Sequence, residues 1–237
     1  MAFEQEIRAN GFSIVASVLD SLSIESFKVI LKEAASAAHS RGGHRNLLDV
    51  TEMRKLANSE VIMKLVRPIL GEAAFPVRGI LFDKQGGANW KVPWHQDVTI
   101  AVANRQDVEG YGPWSIKRNV LHVQPPSSIL EKMLSVRLHL DDCPKTNGAL
   151  RVIPNSHKHG KLNRVQIEMM VAQGVPVTCE AGCGDALLMR PLLIHASSAA
   201  ERPAHRRVVH FDYANVALAS GLRWNERPAQ YFDKAFA

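Results

Sequence analysis

From residue 76 to about residue 218, the chain is a succession of short segments rich in β-branched and apolar residues, such as VRGILFDK, LSVRLHLDD and RVVHFDYANVAL. Turn sequences such as QGG, KTNG and GCGD separate them. Segments of this kind are typical of β-strands that hairpin turns connect. Helices do not alternate regularly with these strands, which argues against a doubly wound parallel sheet. We therefore predict a mainly β fold with flanking helices, in the form of a double-sheet jelly roll.

The first 75 residues have a different pattern, which is mainly helical. Ser21 or Ser23 can cap a helix that runs through FKVILKEAASAA, and Ser59 can cap a second helix that begins at SEVIMKLV. The chain has no repeat, low-complexity run or linker-like stretch, and 237 residues suit one domain. We predict a single domain with a mainly helical part at 1–75, a jelly-roll core at 76–218 and a C-terminal tail at 219–237.

Charge and cysteine content restrict the classes of partner. The chain carries three cysteines, which cannot all pair, and its N-terminal sequence MAFEQEIRAN lacks the apolar core of a signal peptide, so we predict a cytoplasmic protein. No apolar run approaches the roughly 20 residues that span a bilayer, so no membrane partner is expected. The formal net charge is +6, but the basic residues are dispersed. We therefore expect no nucleic acid partner, and a small, anionic molecule fits the charge.

The sequence contains three His-x-Asp motifs, and a strand would project the two side chains of each motif to one face. The three motifs are His95-Gln96-Asp97, His139-Leu140-Asp141 and His210-Phe211-Asp212. With a second imidazole, such a pair forms the two-histidine, one-carboxylate site that binds Fe(II) and leaves positions open for a bidentate co-substrate and dioxygen. A structural histidine is the commoner explanation of any single match, so the motif by itself selects none of the three.

The stretch MRPLLIHASSAAERPAHRRVVHFDYA favours the first motif. It contains His195, a possible second imidazole, followed by Ser197 and, on the next predicted strand, Arg206. A 2-oxo acid on iron needs a cation at its remote carboxylate, and a guanidinium pairs with a carboxylate in bidentate fashion. Ser197 shares a strand face with His195 and could give its hydroxyl to the same carboxylate. The third motif has no histidine after it, whereas the second is followed by histidines and stays open.

Three blocks in this order, WHQD, NGALRVIPNSH and MRPLLIHAS with HRRVVHFDYA, resemble the phytanoyl-CoA dioxygenase family of Fe(II)/2-oxoglutarate-dependent oxygenases. The resemblance extends from about GFSIVASVL to the end of the last block. It implies a double-stranded β-helix, which is a cupin-like jelly roll, and it implies Fe(II), 2-oxoglutarate as co-substrate and O2 as cofactors. The implied iron ligands are His95, Asp97 and His195, and the implied 2-oxoglutarate residues are Arg206 and Ser197.

The reaction implied by the resemblance is hydroxylation of an unactivated C–H bond of a small-molecule metabolite, with release of succinate and CO2. Asp97 argues against halogenation, since a halogenase leaves that position to the halide. Desaturation, epoxidation and cyclisation stay open. A non-catalytic jelly roll that binds a small anion is the alternative outside enzymes. An oxygenase acting on nucleic acid is disfavoured, because Asp212 stands where such demethylases carry a second arginine.

Five further residues are candidates for contact with the substrate: Arg78, Lys84, Arg137, His139 and Trp114. The first two share a face of the strand before WHQD, and the next two alternate on LSVRLHL. The four polar candidates are equally consistent with satisfied core or rim positions. The polar, glycine-containing segment 101–120 predicts an irregular lid that faces the substrate.

Overall fold

The computed structural model of the protein describes residues 2–36, 43–84, 89–201, 205–219 and 221–226. Its α-helices are α1 (Ala2–Asn10), α2 (Ser21–Ser36), α3 (Thr51–Ala57), α4 (Glu60–Leu70), α5 (Ser127–Leu130) and α6 (Arg164–Gln173). Its strands are β1 (Phe12–Val15), β2 (His44–Arg45), β3 (Phe75–Lys84), β4 (Val92–His95), β5 (Ile100–Ala101), β6 (Trp114–Lys117), β7 (Val120–Val123), β8 (Met133–His139), β9 (Leu150–Val152), β10 (Val177–Cys179), β11 (Ala186–Met189), β12 (His195–Ser197) and β13 (Arg206–Ala214). Within these ranges, no helix is long and apolar enough to cross a membrane.

The strands form three antiparallel sheets. The six-stranded sheet has the order β1-β11-β8-β13-β3-β2, the four-stranded sheet β10-β9-β12-β4, and the three-stranded sheet β5-β7-β6. The first two sheets share an apolar cluster, in which Leu150 and Val152 of β9 pack with Leu187 and Met189 of β11. The prediction of a mainly β jelly roll with flanking helices is confirmed.

Side-chain alternation divides the six-stranded sheet into an apolar and a polar face. The apolar face packs with residues of the N-terminal helices, and its members on the two central strands are Leu134, Val136, Leu138, Val209, Phe211 and Tyr213. The opposite face carries Ser135, Arg137, His139, Arg206, His210 and Asp212, because successive residues of a strand point to opposite sides. These polar residues are all buried. They therefore need partners within the jelly roll, from the chain itself or from a bound ligand.

The N-terminal part contributes strands as well as helices. β1 pairs with β11 and β2 pairs with β3, so these two segments form the edges of the large sheet. Residues near the end of the described chain also belong to the fold. Trp224 is buried, and the Glu226 carboxylate accepts hydrogen bonds from the amides of Leu48 (3.0 Å) and Gly79 (3.1 Å). The predicted division at 75 and 218 stays a prediction, and most of the tail lies outside the described residues.

The segment 101–120 is more regular than expected. β6 and β7 form a hairpin, and β5 pairs with the other side of β7. This small sheet joins an apolar cluster with Phe75 and Leu130 through Val123. The prediction of an irregular connection therefore holds for residues 103–113, which contain no strand or helix, and is wrong for the hairpin that begins at Trp114. The polar, glycine-containing sequence of the segment obscured β6, whose apolar residues are few, and a role as a lid stays a prediction.

Candidate metal centre and co-substrate site

Two histidines and one aspartate converge where β4 and β12 pair. His95 and His195 are directly opposite in the register, and their ring centroids lie 4.2 Å apart. Asp97 lies just beyond the end of β4, where its amide donates a hydrogen bond to the carbonyl of Pro191 (2.9 Å). The Asp97 carboxylate oxygens lie 3.9 Å from His95 Nε2 and 3.7 Å from His195 Nε2. In the described part of the chain, this is the single group of three His, Cys, Asp or Glu side chains close enough to hold a metal ion.

The protonation of the cluster suits metal binding. His95 Nδ1 lies 2.9 Å from the carbonyl oxygen of Pro93, and His195 Nδ1 lies 2.9 Å from that of Leu193. An Nδ1–H that donates to a carbonyl leaves the Nε2 lone pair free to bind a cation. Burial lowers the pKa of His195 to about 4, which keeps the imidazole neutral. Although burial opposes ionisation of Asp97, the two imidazoles lower its pKa to about 2. Two imidazoles that present Nε2 and a carboxylate are a donor set that fits Fe(II).

Two buried cations lie deeper in the jelly roll. Lys84 of β3 is paired with Arg206 of β13, and their exposures are 1% and 4%. Lys84 Nζ donates to Ser197 Oγ (3.0 Å) and to the Ser198 carbonyl (3.1 Å). Arg206 donates to the Gly148 carbonyl, but its Nε is buried without a hydrogen-bond partner. Burial and the nearby Arg206 lower the pKa of Lys84 to about 8.

No acidic side chain of the described residues forms an ion pair with Lys84 or Arg206. Buried cations without a counterion are costly, so this pair is a site that a bound anion would stabilise. One cavity of about 210 Å³ is lined both by this pair and by the His95, Asp97 and His195 cluster. The cavity therefore offers a metal-binding end and an anion-binding end at once, which fits a chelating 2-oxo acid with a remote carboxylate.

The sequence profile of the family described as Phytanoyl-CoA dioxygenase (PhyH) matches residues 25–208. The chain belongs to the PhyH family. The protein is accordingly an Fe(II)/2-oxoglutarate-dependent dioxygenase that uses Fe(II), 2-oxoglutarate and O2. The alternative of a non-catalytic anion-binding jelly roll is therefore wrong.

No curated protein sequence matches this PhyH-family chain, whereas solved structures share its fold. AviO1 from Streptomyces viridochromogenes Tue57 is 21% identical, with a TM-score of 0.68 over 92% of this chain and 96% of AviO1. HygX from Streptomyces hygroscopicus, with nickel and 2-oxoglutarate bound, is 17% identical, with a TM-score of 0.65 over 90% of this chain and 86% of HygX. The epimerase SnoN, in complex with Fe3+, α-ketoglutarate and nogalamycin RO, is 15% identical, with a TM-score of 0.68 over 90% of this chain and 82% of SnoN.

The second His-x-Asp motif of this PhyH protein is split between two environments. Asp141 accepts two hydrogen bonds from the Arg207 guanidinium, at 2.8 and 2.6 Å. Arg207 is therefore the ion-pair partner of Asp141. His139 points into the jelly roll, where burial and Arg137 lower its pKa to about 4. The two members do not face each other and do not form a metal site.

The third motif forms a closed hydrogen-bonded network. Asp212 accepts hydrogen bonds from Ser135 Oγ (2.6 Å) and Arg78 Nε (2.5 Å), and its Oδ1 lies 2.9 Å from His210 Nε2. His210 Nδ1 lies 3.0 Å from a guanidinium nitrogen of Arg137, which can only donate. His210 thus carries its proton on Nε2 and is satisfied on both nitrogens. This motif is structural, and it fixes the guanidinium groups of Arg78 and Arg137 beside the cavity.

The predicted substrate contacts separate into two groups. Arg78, Lys84 and Arg137 line the cavity. His139 and Trp114 are not among its lining residues, so their predicted contact with the pocket is not supported; the Trp114 ring instead packs against the Arg105 guanidinium, 5.4 Å from its centroid. Among the polar cavity-lining residues, sequence analysis missed Arg45, Thr99 and Lys117. Arg45 lies on the two-residue strand β2, and Lys117 lies on β6 of the hairpin. Neither element had a recognisable sequence signal.

Gln96, between the two proposed ligands of WHQD, has a structural position. Its Nε2 donates to the carbonyls of Gly160 (2.9 Å) and Leu192 (2.7 Å), and its Oε1 accepts from the amide of Leu162 (2.8 Å). Trp94 also faces away from the cavity and packs against the guanidinium of Arg151, 5.1 Å from the ring centroid. The side chains flanking His95 therefore anchor β4 to neighbouring loops and strands.

Proposed function

We propose that this PhyH-family dioxygenase hydroxylates an unactivated C–H bond of a small-molecule metabolite, with His95, Asp97 and His195 as its iron ligands. The observation that supports the proposal is the common cavity of the three ligand atoms and the buried Lys84–Arg206 pair. The histidines would bind iron through Nε2 and Asp97 through a carboxylate oxygen. Three protein ligands on one side leave the opposite side of the ion for co-substrate and dioxygen.

The co-substrate contacts follow from the donors at the other end of the cavity. Arg206 and Lys84 would bind the distal carboxylate of 2-oxoglutarate, since both are buried cations without a carboxylate partner. Ser197 Oγ accepts a hydrogen bond from Lys84, which leaves the Ser197 hydroxyl proton free to donate to the same carboxylate. Lys84, a predicted substrate contact, is therefore reassigned in this proposal to the co-substrate.

Bound iron and 2-oxoglutarate supply the oxidising chemistry, in which decarboxylation to succinate and CO2 is coupled to oxidation of the substrate. The chain provides orientation and shielding. On β3, Ile80 and Phe82 lie between Arg78 and Lys84 and line the cavity. Their apolar side chains limit the access of water to it. Asp97 fills the position that a halogenase needs for halide, which supports hydroxylation over halogenation.

The proposal is tested with purified protein under anaerobic conditions. We expect Mn(II) and 2-oxoglutarate together to raise the melting temperature, because ligands that bind only the folded state stabilise it. After Fe(II) and oxygen are supplied, a panel of small-molecule metabolites is scored by succinate release. The product formed under ¹⁸O₂ should contain one labelled oxygen atom. Coupled turnover that yields an unlabelled alkene or ring would replace hydroxylation by desaturation or cyclisation, and absence of metal-dependent stabilisation would contradict the proposed site.

A small-molecule partner is supported by the size of the cavity and by the complex of the similarly folded SnoN with nogalamycin RO. The cytoplasmic location and the absence of a nucleic acid partner stay predictions. Salt-sensitive binding of an oligonucleotide would contradict the second of these.

A further inference from the structure

A second group of cations lines the same cavity, away from Lys84 and Arg206. Its members are Arg45 on β2, Arg78 on β3 and Lys117 on β6, which we call the outer cation cluster. Arg45 pairs with Ile80 in the β2–β3 register. Because a strand rises about 3.3 Å per residue, the backbone of Ile80 lies about 13 Å along β3 from that of Lys84. The outer cation cluster is therefore distinct from the proposed 2-oxoglutarate residues.

The members of the outer cation cluster differ in how their charges are balanced. Arg78 is neutralised by the buried carboxylate of Asp212 at 2.5 Å. Lys117 Nζ donates to the hydroxyl of Thr99 (2.8 Å), which carries no charge. Arg45 makes no side-chain hydrogen bond or ion pair with any residue that the structure describes. Two of the three cations thus lack a counterion.

The nearby carboxylates do not supply the missing charge. Asp97 influences both Arg45 and Lys117, but as a proposed iron ligand its charge is committed to the metal. Glu226 has only a small electrostatic influence on Arg45; its carboxylate accepts hydrogen bonds from two backbone amides, and burial raises its pKa to about 7. It is therefore only partly ionised at neutral pH. The region keeps an excess of positive charge with iron in place.

Burial and mutual repulsion both disfavour the charged forms of Arg45 and Lys117. Burial and the charges of Arg78 and Arg118 lower the pKa of Arg45. Burial and the charges of Arg78 and Arg45 lower the pKa of Lys117. Cations are placed together in this way at a cost that an anionic ligand removes, as in phosphate and carboxylate sites.

We propose that Arg45 and Lys117 form a subsite for an anionic oxygen group of the substrate, a carboxylate or a phosphate. This inference rests on the proposed function, because it takes the metal and 2-oxoglutarate ends of the cavity as occupied. The guanidinium of Arg45 can form two parallel hydrogen bonds with an oxyanion, and Lys117 adds a point charge. Arg78, held by Asp212, lines the base of the subsite. The substrate is then a small organic acid or phosphate ester.

The subsite also restricts where the substrate reacts. Lys117 is bonded to Thr99, which lies in the same short segment as Asp97. An anion bound between Arg45 and Lys117 is therefore close to the proposed iron ligands. The oxidised carbon would then lie within a few bonds of the anionic group.

The test uses protein loaded with Mn(II) and saturating 2-oxoglutarate, with benzoate, phenyl phosphate and neutral benzamide as probes in calorimetric titrations. We expect at least one anion to bind and benzamide not to bind. The tighter of the two anions identifies the oxyanion. Arg45→Met and Lys117→Met should each weaken anion binding about 10-fold or more, as expected for loss of a charged hydrogen bond. Arg45→Lys, which keeps the charge without the planar fork, should retain part of the affinity.

Controls separate this inference from the proposed function. Arg105→Met removes an arginine that is 63% exposed and should leave anion binding unchanged. The Kd for 2-oxoglutarate should be unchanged in Arg45→Met and Lys117→Met, which also reports that both variants are folded. If wild-type protein binds Mn(II) and 2-oxoglutarate but no anion, or if both variants bind the anion as tightly as wild type, the subsite is refuted and the proposed function stands. If Mn(II) and 2-oxoglutarate do not bind to wild type, the proposed function itself fails.

Discussion

Lys84 and Arg206 face each other across the β3–β13 pairing, both buried, with no acidic side chain of the described residues paired to either. Two like charges in such a position destabilise the ligand-free protein, because burial and mutual repulsion both oppose the charged forms. A dianion that places its distal carboxylate between the two cations removes this unfavourable electrostatic free energy. Its binding is stabilised by the same amount.

Arg206→Met should weaken 2-oxoglutarate binding about 10-fold to 100-fold, the range expected when a charged, bidentate hydrogen bond is lost. Titration of 2-oxoglutarate into the Mn(II)-loaded variant measures the change in Kd. Arg207→Met is the matched control, since Arg207 points to the opposite face and pairs with Asp141. An unchanged Kd in Arg206→Met would remove Arg206 from the co-substrate site.

The pKa of Lys84, lowered to about 8 from 10.5, predicts a pH dependence of stability. Between these two values, unfolded protein binds more protons than folded, ligand-free protein, so the free energy of unfolding should rise with pH through this window. Urea unfolding from pH 7.5 to 10 measures the slope. Lys84→Met should lack the contribution of this residue and be more stable than wild type near pH 7. Parallel pH profiles for the two proteins would show that Lys84 does not titrate in this range.

Binding of 2-oxoglutarate should show the opposite trend. The distal carboxylate needs the Lys84 ammonium, so the affinity should fall as the pH rises above about 8. In Lys84→Met, the affinity at pH 7 should already be low and should change little over the same range. A wild-type affinity that is constant from pH 7 to 9.5 would indicate that Arg206 alone neutralises the co-substrate.

Local patterns in the sequence predicted the jelly roll, and they also account for helix α6. The RVQIEMMVAQ stretch forms the Arg164–Gln173 helix, with a capping box between Asn163 and Gln166. The turn at Asn155 adopts the left-handed conformation that asparagine tolerates (φ 67°). These features depend on propensities and capping within a few residues, which sequence reasoning can evaluate.

Features that depend on long-range pairing were missed. β2 is two residues long, so no periodicity reveals it, yet its pairing with β3 brings Arg45 to the cavity. The alternation argument placed His95 and Asp97 on one strand, but β4 ends at His95. Asp97 reaches the cluster because its amide is held by the Pro191 carbonyl, a contact that spacing alone does not encode. The Asp97 side chain does point to the same site as His95, although Asp97 is not part of the strand.

His95→Ala should abolish tight Fe(II) binding, because removal of one of three proposed ligands leaves a bidentate site. His139→Ala is the comparison, since His139 belongs to a second His-x-Asp motif but contributes no ligand atom to the cluster. Anaerobic Fe(II) titration and the metal-dependent shift in melting temperature measure both variants. Loss of iron in His139→Ala with retention in His95→Ala would mean that the second motif holds the metal.

Gln96→Leu should lower the free energy of unfolding by about 2–3 kcal/mol, because it leaves three backbone groups without their buried partner. The carbonyls of Gly160 and Leu192 and the amide of Leu162 each lose a hydrogen bond of 2.9 Å or less. Urea unfolding measures the loss. Gln173→Leu at the exposed end of α6 is the control and should change stability by about 0.5 kcal/mol or less.

The same variant should also weaken metal binding without removing a ligand. Leu192 is adjacent to Leu193, whose carbonyl holds the His195 imidazole through Nδ1. Loss of the Gln96 hydrogen bond to the Leu192 carbonyl would free the segment before β12 and allow His195 to rotate. Loss of such supporting contacts commonly lowers metal affinity by about 10-fold to 100-fold. We therefore expect Gln96→Leu to bind Fe(II) more weakly than wild type, while His95, Asp97 and His195 are intact. Unchanged iron affinity in a destabilised variant would confine Gln96 to a purely structural role.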